Sequence, residues 1–254
     1  MTSATADARR PQPSPLRIFV VMAAVLATLA GLTVFAARMP ASLPGYAAAL
    51  GCGIAVTMIF FSVWEWTFHR YLYHRILVPA LRPIFLTHHR DHHFRFYPPW
   101  RFTDDEIVDG SHQSHPSVWL RVVRRFVGEN VSIPDRWVYL VVGLVLIVTP
   151  GWLVTRSVVF CLGVAATGVT LFQLFGRVHG TIHRPGAHPL VEAQPWYPFL
   201  ERHHYIHHVD PEANENFLVP LADWLFGTLR TSLTEAEEAK VEEFRLRHAD
   251  SDHG

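Results

Sequence analysis

The chain has 254 residues, of which half are hydrophobic and 17% are charged, and its formal net charge is zero. The net charge of zero, with Lys240 as the single lysine, gives no electrostatic basis for binding nucleic acid. Its two cysteines, Cys52 and Cys161, both lie in apolar stretches, where we expect small buried hydrophobes. They allow at most one disulfide and are too few to hold an iron–sulfur cluster through thiolates.

The hydrophobic residues are concentrated in long runs with few charges. Residues 1–15 are small, polar and rich in proline, and we expect this tail to be disordered. Residues 16–38 and 46–68 are each long enough to cross a hydrocarbon core of about 30 Å as a helix. The first run exceeds the apolar region of a secretory signal, so an uncleaved first span is expected.

A third apolar region, residues 137–175, contains one charged residue, Arg156. One helix of that length would reach nearly 60 Å at about 1.5 Å per residue, roughly twice the hydrocarbon thickness. The region is therefore predicted to fold back as two spans, 137–154 and 156–176, with the turn at Thr149-Pro150-Gly151. Together the apolar regions predict four membrane spans in two hairpins. Core helices of a soluble bundle are the less favoured interpretation, because they rarely run this far without a charged residue.

The arginines predict how these spans are oriented, because excess arginine marks the cytoplasmic side of a membrane. Arg9, Arg10 and Arg17 precede or begin the first span, whereas the first turn has only Arg38 beside it. Ten more arginines follow the second span, namely Arg70, Arg75, Arg82, Arg90, Arg95, Arg101, Arg121, Arg124, Arg125 and Arg136. Both termini and the regions 69–136 and 177–230 are therefore predicted to be cytoplasmic.

Ten of the 17 histidines fall into four short clusters, all within those two cytoplasmic regions. The clusters are His69/His74, His89/His92/His93, His179/His183 and His204/His207/His208. Neutral imidazole is the commonest protein ligand for transition metals. Ten imidazoles are too many for one ion at about four to six ligands each, so the clusters predict a pair of metal ions. The sequence thus predicts an all-α polytopic membrane protein whose helical cap holds a dinuclear metal site.

Helical spacing predicts how the clusters are arranged. Residues three and four apart share one face of an α-helix, so each triplet is expected to cap one metal, and His179 and His183 to share a face. His69 and His74 are five apart, about 140° around an α-helix, and can meet only if the helix is widened or ends there. The remaining histidines are expected to be ordinary surface or core residues, namely His88, His112, His115, His188, His203, His248 and His253.

Metal-bound histidines need a hydrogen-bond partner for their second ring nitrogen. The carboxylates near the clusters are candidates for this role, with a surface salt bridge as the open alternative: Glu65, Asp91, Glu201, Asp210 and Asp223. His88 and His203 each precede a triplet and could also support the ligands. A last helix over residues 232–248 is predicted from a capping box formed by Ser232 and Glu235.

The aromatic and arginine-rich residues 94–102 and the proline-broken residues 195–199 suit the lipid headgroup layer or ordinary packing of the cap.

The four clusters, in this order, resemble the integral-membrane fatty acid hydroxylase superfamily, which includes sterol desaturases and carotenoid ring hydroxylases. The resemblance covers roughly residues 55–230. Asp223-Trp224-Leu225-Phe226-Gly227-Thr228 is similar to the Asp-x-Leu-Phe-Gly-Thr tail of that family, and the His179/His183 pair is absent from membrane acyl-CoA desaturases. Glu215-Asn216-Phe217 departs from the Asn-Tyr/Phe-Gly of many relatives.

The resemblance implies that all ten clustered histidines bind two iron ions, which zinc could replace on isolation. It also implies dioxygen-dependent hydroxylation of a lipid C–H bond, on a fatty acyl chain or a sterol-like substrate. Electrons from NAD(P)H are expected through a reductase and a separate donor of ferredoxin or cytochrome b5 type, because the chain has no cytochrome b5-like segment or nucleotide fingerprint. Arg121, Arg124 and Arg125 could dock that donor or bind lipid headgroups.

Two alternatives stay open. A desaturase or a carotenoid ring hydroxylase would use the same scaffold. A metal-binding membrane protein or transporter would not be an enzyme, but a transporter is expected to place its ligands within the spans.

Overall fold

A computed structural model describes residues 12–77, 79, 82–93, 135–183 and 185–249. Every regular element in these ranges is helical, which confirms the all-α class. The helices are α1 (Pro15–Ala37), α2 (Leu43–Phe68), π1 (His69–Tyr73), α3 (Arg82–Phe85), π2 (Leu86–His93), α4 (Asp135–Thr155), α5 (Val158–His183), α6 (Pro189–Glu192), α7 (Tyr197–Val209), α8 (Leu221–Phe226) and α9 (Glu235–Ala249). Predictions for residues 1–11 and 94–134, including His112, His115 and the arginine patch, lie outside the described residues, as does His253.

Three of the described helices are long and apolar enough to cross a membrane: α1, α2 continued through π1, and α5. The apolar part of α4, Leu140–Thr155, is shorter. The four-span arrangement therefore stays a prediction. Both α1 and α2 begin in the manner that their sequences favour, with a serine hydroxyl that accepts a backbone N–H and a proline in the first turn.

The reversal between α4 and α5 lies beyond the predicted turn, at the boundary between the predicted spans 137–154 and 156–176. The turn at Thr149-Pro150-Gly151 is wrong, because α4 continues through these residues to Thr155. The chain reverses at Arg156, which has a positive φ of 50°, and the Ser157 hydroxyl accepts the Phe160 N–H at the start of α5. Proline is tolerated inside membrane helices because neighbouring groups satisfy the freed carbonyl, so its presence alone did not mark the turn.

Helices α2 and α5 form the closest packing of the bundle, through two glycines. A Cβ added at Gly53 would overlap the Phe160 carbonyl oxygen, and one at Gly163 would lie 2.6 Å from the Leu50 carbonyl oxygen. Small residues let membrane helices approach until their backbones touch, which is the source of much of their packing energy. This contact fixes the two helices whose ends carry His69, His179 and their neighbours.

The last helix begins at Glu235, so the predicted capping box is wrong by two residues. Thr234 and Glu237 form it instead: the Glu237 N–H donates to the Thr234 hydroxyl at 3.3 Å, and the Thr234 N–H donates to the Glu237 carboxylate at 2.7 Å. The Arg230 guanidinium also donates to Glu237, at 2.6 and 2.8 Å, and to Asp210 at 2.6 Å. This Arg230 clamp ties α9 to the end of α7.

Candidate metal centre

The histidine clusters converge into two adjoining groups. In each group one ring nitrogen per residue lies within 4.8 Å of every other. Site A consists of His69, His74, His88, His93 and His207. Site B consists of His92, His179, His183 and His204. These groups contain eight of the ten predicted ligands, and they add His88.

The other two predicted ligands lie at the margins of these sites. His89 Nδ1 is 2.8 Å from His74 Nδ1, beside site A. His208 Nε2 is 3.0 Å from His204 Nε2, and its ring stacks on that of His93 at 4.4 Å. His208 therefore lies between the two sites.

Two π-helical segments explain how histidines five apart reach one site. In a π-helix the hydrogen bond runs from residue i+5 to residue i, so residues five apart lie above one another. The His74 N–H donates to the His69 carbonyl at 3.1 Å, and the two rings stack at 5.2 Å. This is the widened helix that the spacing of the pair requires. Segments of this kind occur frequently at functional sites.

The same geometry in π2 selects His88 for site A. His88 and His93 are five apart, and their Nε2 atoms are 3.2 Å from each other. Alpha-helical spacing favours His89 in this cluster and so predicts no ligand role for His88. The signal that could have found His88 is the repeat of the His69/His74 interval.

The prediction that each triplet caps a single metal is wrong. His92 belongs to site B and His93 to site A, and likewise His204 belongs to site B and His207 to site A. His92 and His93 are consecutive, so their side chains leave π2 in different directions. His204 and His207 share a face of α7 but are one turn apart along it, so each meets a different group of histidines. His179 and His183 do share site B, with ring centroids 4.7 Å apart, as their spacing predicts.

Backbone carbonyls orient two of the site A histidines. His69 Nδ1–H donates to the Glu215 carbonyl at 2.6 Å, and His207 Nδ1–H donates to the Ala213 carbonyl at 2.7 Å. A ring nitrogen bonded to a carbonyl must carry the hydrogen, which leaves Nε2 of each ring as an acceptor facing the site. This pattern is typical of metal-binding histidines.

Burial keeps the imidazoles of both sites in the form that binds metal. Desolvation, followed by the neighbouring imidazoles, lowers the pKa of His74, His88, His93 and His204 far below the usual range, and it does the same for His208 between the sites. Burial lowers the pKa of His207 to about 4. These side chains are therefore neutral at pH 7, with lone pairs available for a cation.

Residues 213–217, called the supporting loop below, hold the two carbonyls in place. The Asp223 carboxylate accepts the Glu215 N–H at 2.9 Å and the Asn216 N–H at 2.8 Å. His203, buried on α7, donates from Nε2 to the Asn216 carbonyl at 2.7 Å. His203 and Asp223 thus support the ligands through the loop.

The other carboxylates that were predicted as hydrogen-bond partners of the histidines lie elsewhere than Asp223. Glu65 accepts a long hydrogen bond of 3.4 Å from the Asn216 amide, and Asp210 belongs to the Arg230 clamp. Glu201 is half-buried on α7, and the side chain of Asp91 lies outside the described part of the chain.

Sequence reasoning missed a buried ion pair beneath site A. Arg70 and Glu215 are 3.2 Å apart, with side chains 4% and 1% exposed. Burial raises the pKa of Glu215 well above its usual range, and the Arg70 guanidinium opposes that rise. Arg70 follows His69 and Glu215 lies in the supporting loop, so the pair joins π1 to that loop. No sequence signal distinguishes Arg70 from the other arginines that follow α2.

No family model, curated protein or solved structure matches this chain. The resemblance to the fatty acid hydroxylase superfamily stays a prediction, and the arrangement of sites A and B carries the argument about function.

Proposed function

We propose that this protein is an integral-membrane hydroxylase that uses dioxygen to oxidise a C–H bond of a lipid. The observation that carries the proposal is the pair of adjoining all-imidazole sites at the ends of two apolar, membrane-length helices, α2 and α5. The substrate class is a fatty acyl chain or a sterol-like lipid.

The ligand set fits two metal ions and differs from that of soluble di-iron bundles, whose ligands are mostly carboxylates. Sites A and B contain only imidazole side chains among the described residues. Two irons held there would supply the activation of dioxygen that oxidation of an unactivated C–H bond needs. The residues themselves hold the ions in place, keep the sites buried, and restrict access by water.

The surroundings of site B favour a lipid substrate. The Phe217 ring lies 5.0 Å from His204 and 5.5 Å from His179. Phe175 stacks on His179 at 5.6 Å and is 40% exposed on α5. These aromatic side chains connect site B to the exposed face of α5, and such apolar surroundings suit an alkyl chain that approaches from the bilayer.

The start of α1 supports the proposed orientation. Arg17 donates to the Leu225 carbonyl at 3.2 and 2.9 Å, and Gln12 contacts both Arg70 and Glu212. The N-terminal end of α1 is thus on the same side of the bundle as the metal centre. With the arginine excess, these contacts favour a cytoplasmic location of both, and with it a cytoplasmic electron donor.

The proposed reaction inserts one oxygen atom of dioxygen into the C–H bond and reduces the other to water. It consumes two electrons and two protons, and we propose that NAD(P)H supplies the electrons through a reductase and a ferredoxin or cytochrome b5.

Lipid analysis under ¹⁸O₂ tests the proposal. Cells expressing the protein with a donor of each type are compared with cells expressing His207→Ala, and with His188→Ala as a surface-histidine control. We expect an ¹⁸O-labelled hydroxylated lipid with the wild type and the control only. A new double bond without ¹⁸O would indicate a desaturase instead, and lipids identical in all three strains would contradict an enzymatic role.

A further inference from the structure

We propose that Asp223 is a positioning residue that sets the metal-binding tautomer of His69 and His207 through the supporting loop. The inference rests on the proposed metal site but not on the reaction proposed for it. It assigns to Asp223 the control of metal affinity at site A, although the carboxylate itself touches no residue of that site.

The contacts of Asp223 occupy both of its oxygens. Oδ1 accepts the Glu215 N–H at 2.9 Å and the Thr228 hydroxyl at 2.6 Å, and Oδ2 accepts the Asn216 N–H at 2.8 Å. The backbone N–H of Asp223 in turn donates to the Asn216 side-chain oxygen at 3.0 Å. Asp223 is fully buried, so no water competes for these bonds.

This arrangement aims the loop carbonyls at the histidines. Two successive N–H groups of the loop point to Asp223, while the Glu215 carbonyl accepts from His69 and the Ala213 carbonyl accepts from His207. Because peptide units are planar, fixing an N–H direction also fixes the neighbouring carbonyl. The Asn216 N–H shares its peptide unit with the Glu215 carbonyl, so Asp223 fixes that acceptor directly. The Ala213 carbonyl shares its unit with the Asn214 N–H, which donates to the Thr228 carbonyl at 3.0 Å, and the Thr228 hydroxyl donates to Asp223. Asp223 thereby places both acceptors, the second through Thr228, where they require the hydrogen on Nδ1 of each ring.

The loop is also tied to α2, from which π1 continues. The Asn216 amide donates to the Ser62 carbonyl at 2.6 Å, and the Trp66 indole donates to the Thr228 hydroxyl at 3.0 Å. These ties hold the loop against the helix without setting the direction of its N–H groups. Removing the Asp223 carboxylate is therefore expected to change the directions of the loop carbonyls while the loop stays attached to α2.

Asparagine cannot replace aspartate here, although it has nearly the same shape. Donors approach both oxygens of Asp223, so either orientation of an amide would place an NH₂ group against a donor. One loop N–H or the Thr228 hydroxyl would be left buried and without an acceptor. We expect the loop to rotate in response, which removes the constraint on the tautomers of His69 and His207.

The test uses ¹⁵N NMR of ring-labelled histidines in the full chain, in detergent and free of metal. Resonances of His69 and His207 are assigned with glutamine variants. In the wild type both rings are expected to carry the hydrogen on Nδ1. In Asp223→Asn both are expected to become tautomer mixtures while His179 and His183 stay unchanged, and Zn²⁺ affinity measured by chelator competition should fall roughly 10- to 100-fold.

Glu237→Gln provides a matched control, because it replaces a carboxylate by an amide in the Arg230 clamp and leaves the supporting loop alone. It should change neither the tautomers nor the affinity. Unaltered tautomers and affinity in Asp223→Asn would overturn the proposal, and so would equal changes at all four histidines, which indicate general loosening. If Asp223→Asn fails to fold, the wild-type spectrum still decides: hydrogen on Nε2 of His69 and His207 contradicts the proposal.

Discussion

Removal of Arg70 is expected to destabilise the protein more than removal of the whole Arg70–Glu215 pair. In Arg70→Met the Glu215 carboxyl stays buried, at 1% exposure, without its cation. Breaking one side of a buried ion pair typically costs about 3–5 kcal/mol, whereas replacing both partners by apolar residues is often close to neutral. We therefore expect Arg70→Met to lose about 3–5 kcal/mol, and Arg70→Met/Glu215→Met to recover most of it.

The free energies of unfolding can be measured by SDS titration in mixed micelles. Tryptophan fluorescence is a suitable probe, because the Arg70 guanidinium lies 5.3 Å from the buried Trp66 ring. Burial raises the pKa of Glu215, so the loss in Arg70→Met should be larger at pH 8 than at pH 5, where the unpaired carboxyl can bind a proton. A double variant less stable than Arg70→Met would refute this reasoning, since it would mean that the pair itself stabilises the fold.

Three further predictions concern packing, ligand choice and pH. Gly53→Leu should disrupt the bundle and lower its thermal stability, whereas Gly51→Leu, at a position where an added Cβ meets no atom within 4 Å, should leave the melting temperature nearly unchanged. His88→Ala should reduce the metal bound per chain more than His89→Ala does, as measured by elemental analysis, and the reverse order would contradict the π-helical geometry. The hydrogen-bonded ion pair with Arg230 lowers the pKa of Glu237 to about 2, from an unfolded value of about 4.5. The pair therefore stabilises the fold at pH values above about 4.5, and this contribution is lost as the pH falls from about 4.5 to about 2. Glu237→Gln should lack that component in an acid titration of stability, and an identical acid profile would count against the pair.

Hydrophobic runs and histidine spacing predicted the helices and most of the histidines that converge in sites A and B, because both signals are local. A run without charges predicts a membrane-length helix wherever it packs, and the bounds of α1 and α2 lie within a few residues of the predicted spans. His179 and His183 sit on an ordinary α-helix, so their shared site could be derived from a four-residue interval.

The remaining features depend on contacts that the local sequence does not specify. A widened turn at π2 depends on what surrounds it, so α-helical spacing gave His89 in place of His88. Likewise the Arg70–Glu215 pair joins residues 145 positions apart, and neither residue has a distinctive neighbour pattern. The division of each triplet between two sites follows from the way π2 and α7 face each other, which only the tertiary structure defines.

The most direct test of sites A and B is the metal content of the purified protein together with that of His92→Ala/His207→Ala, which removes one histidine from each site. We expect two metal ions per chain in the wild type, and a clear loss of metal and of lipid oxidation in the double variant. Two ions retained with full turnover in the double variant would contradict the assignment of sites A and B.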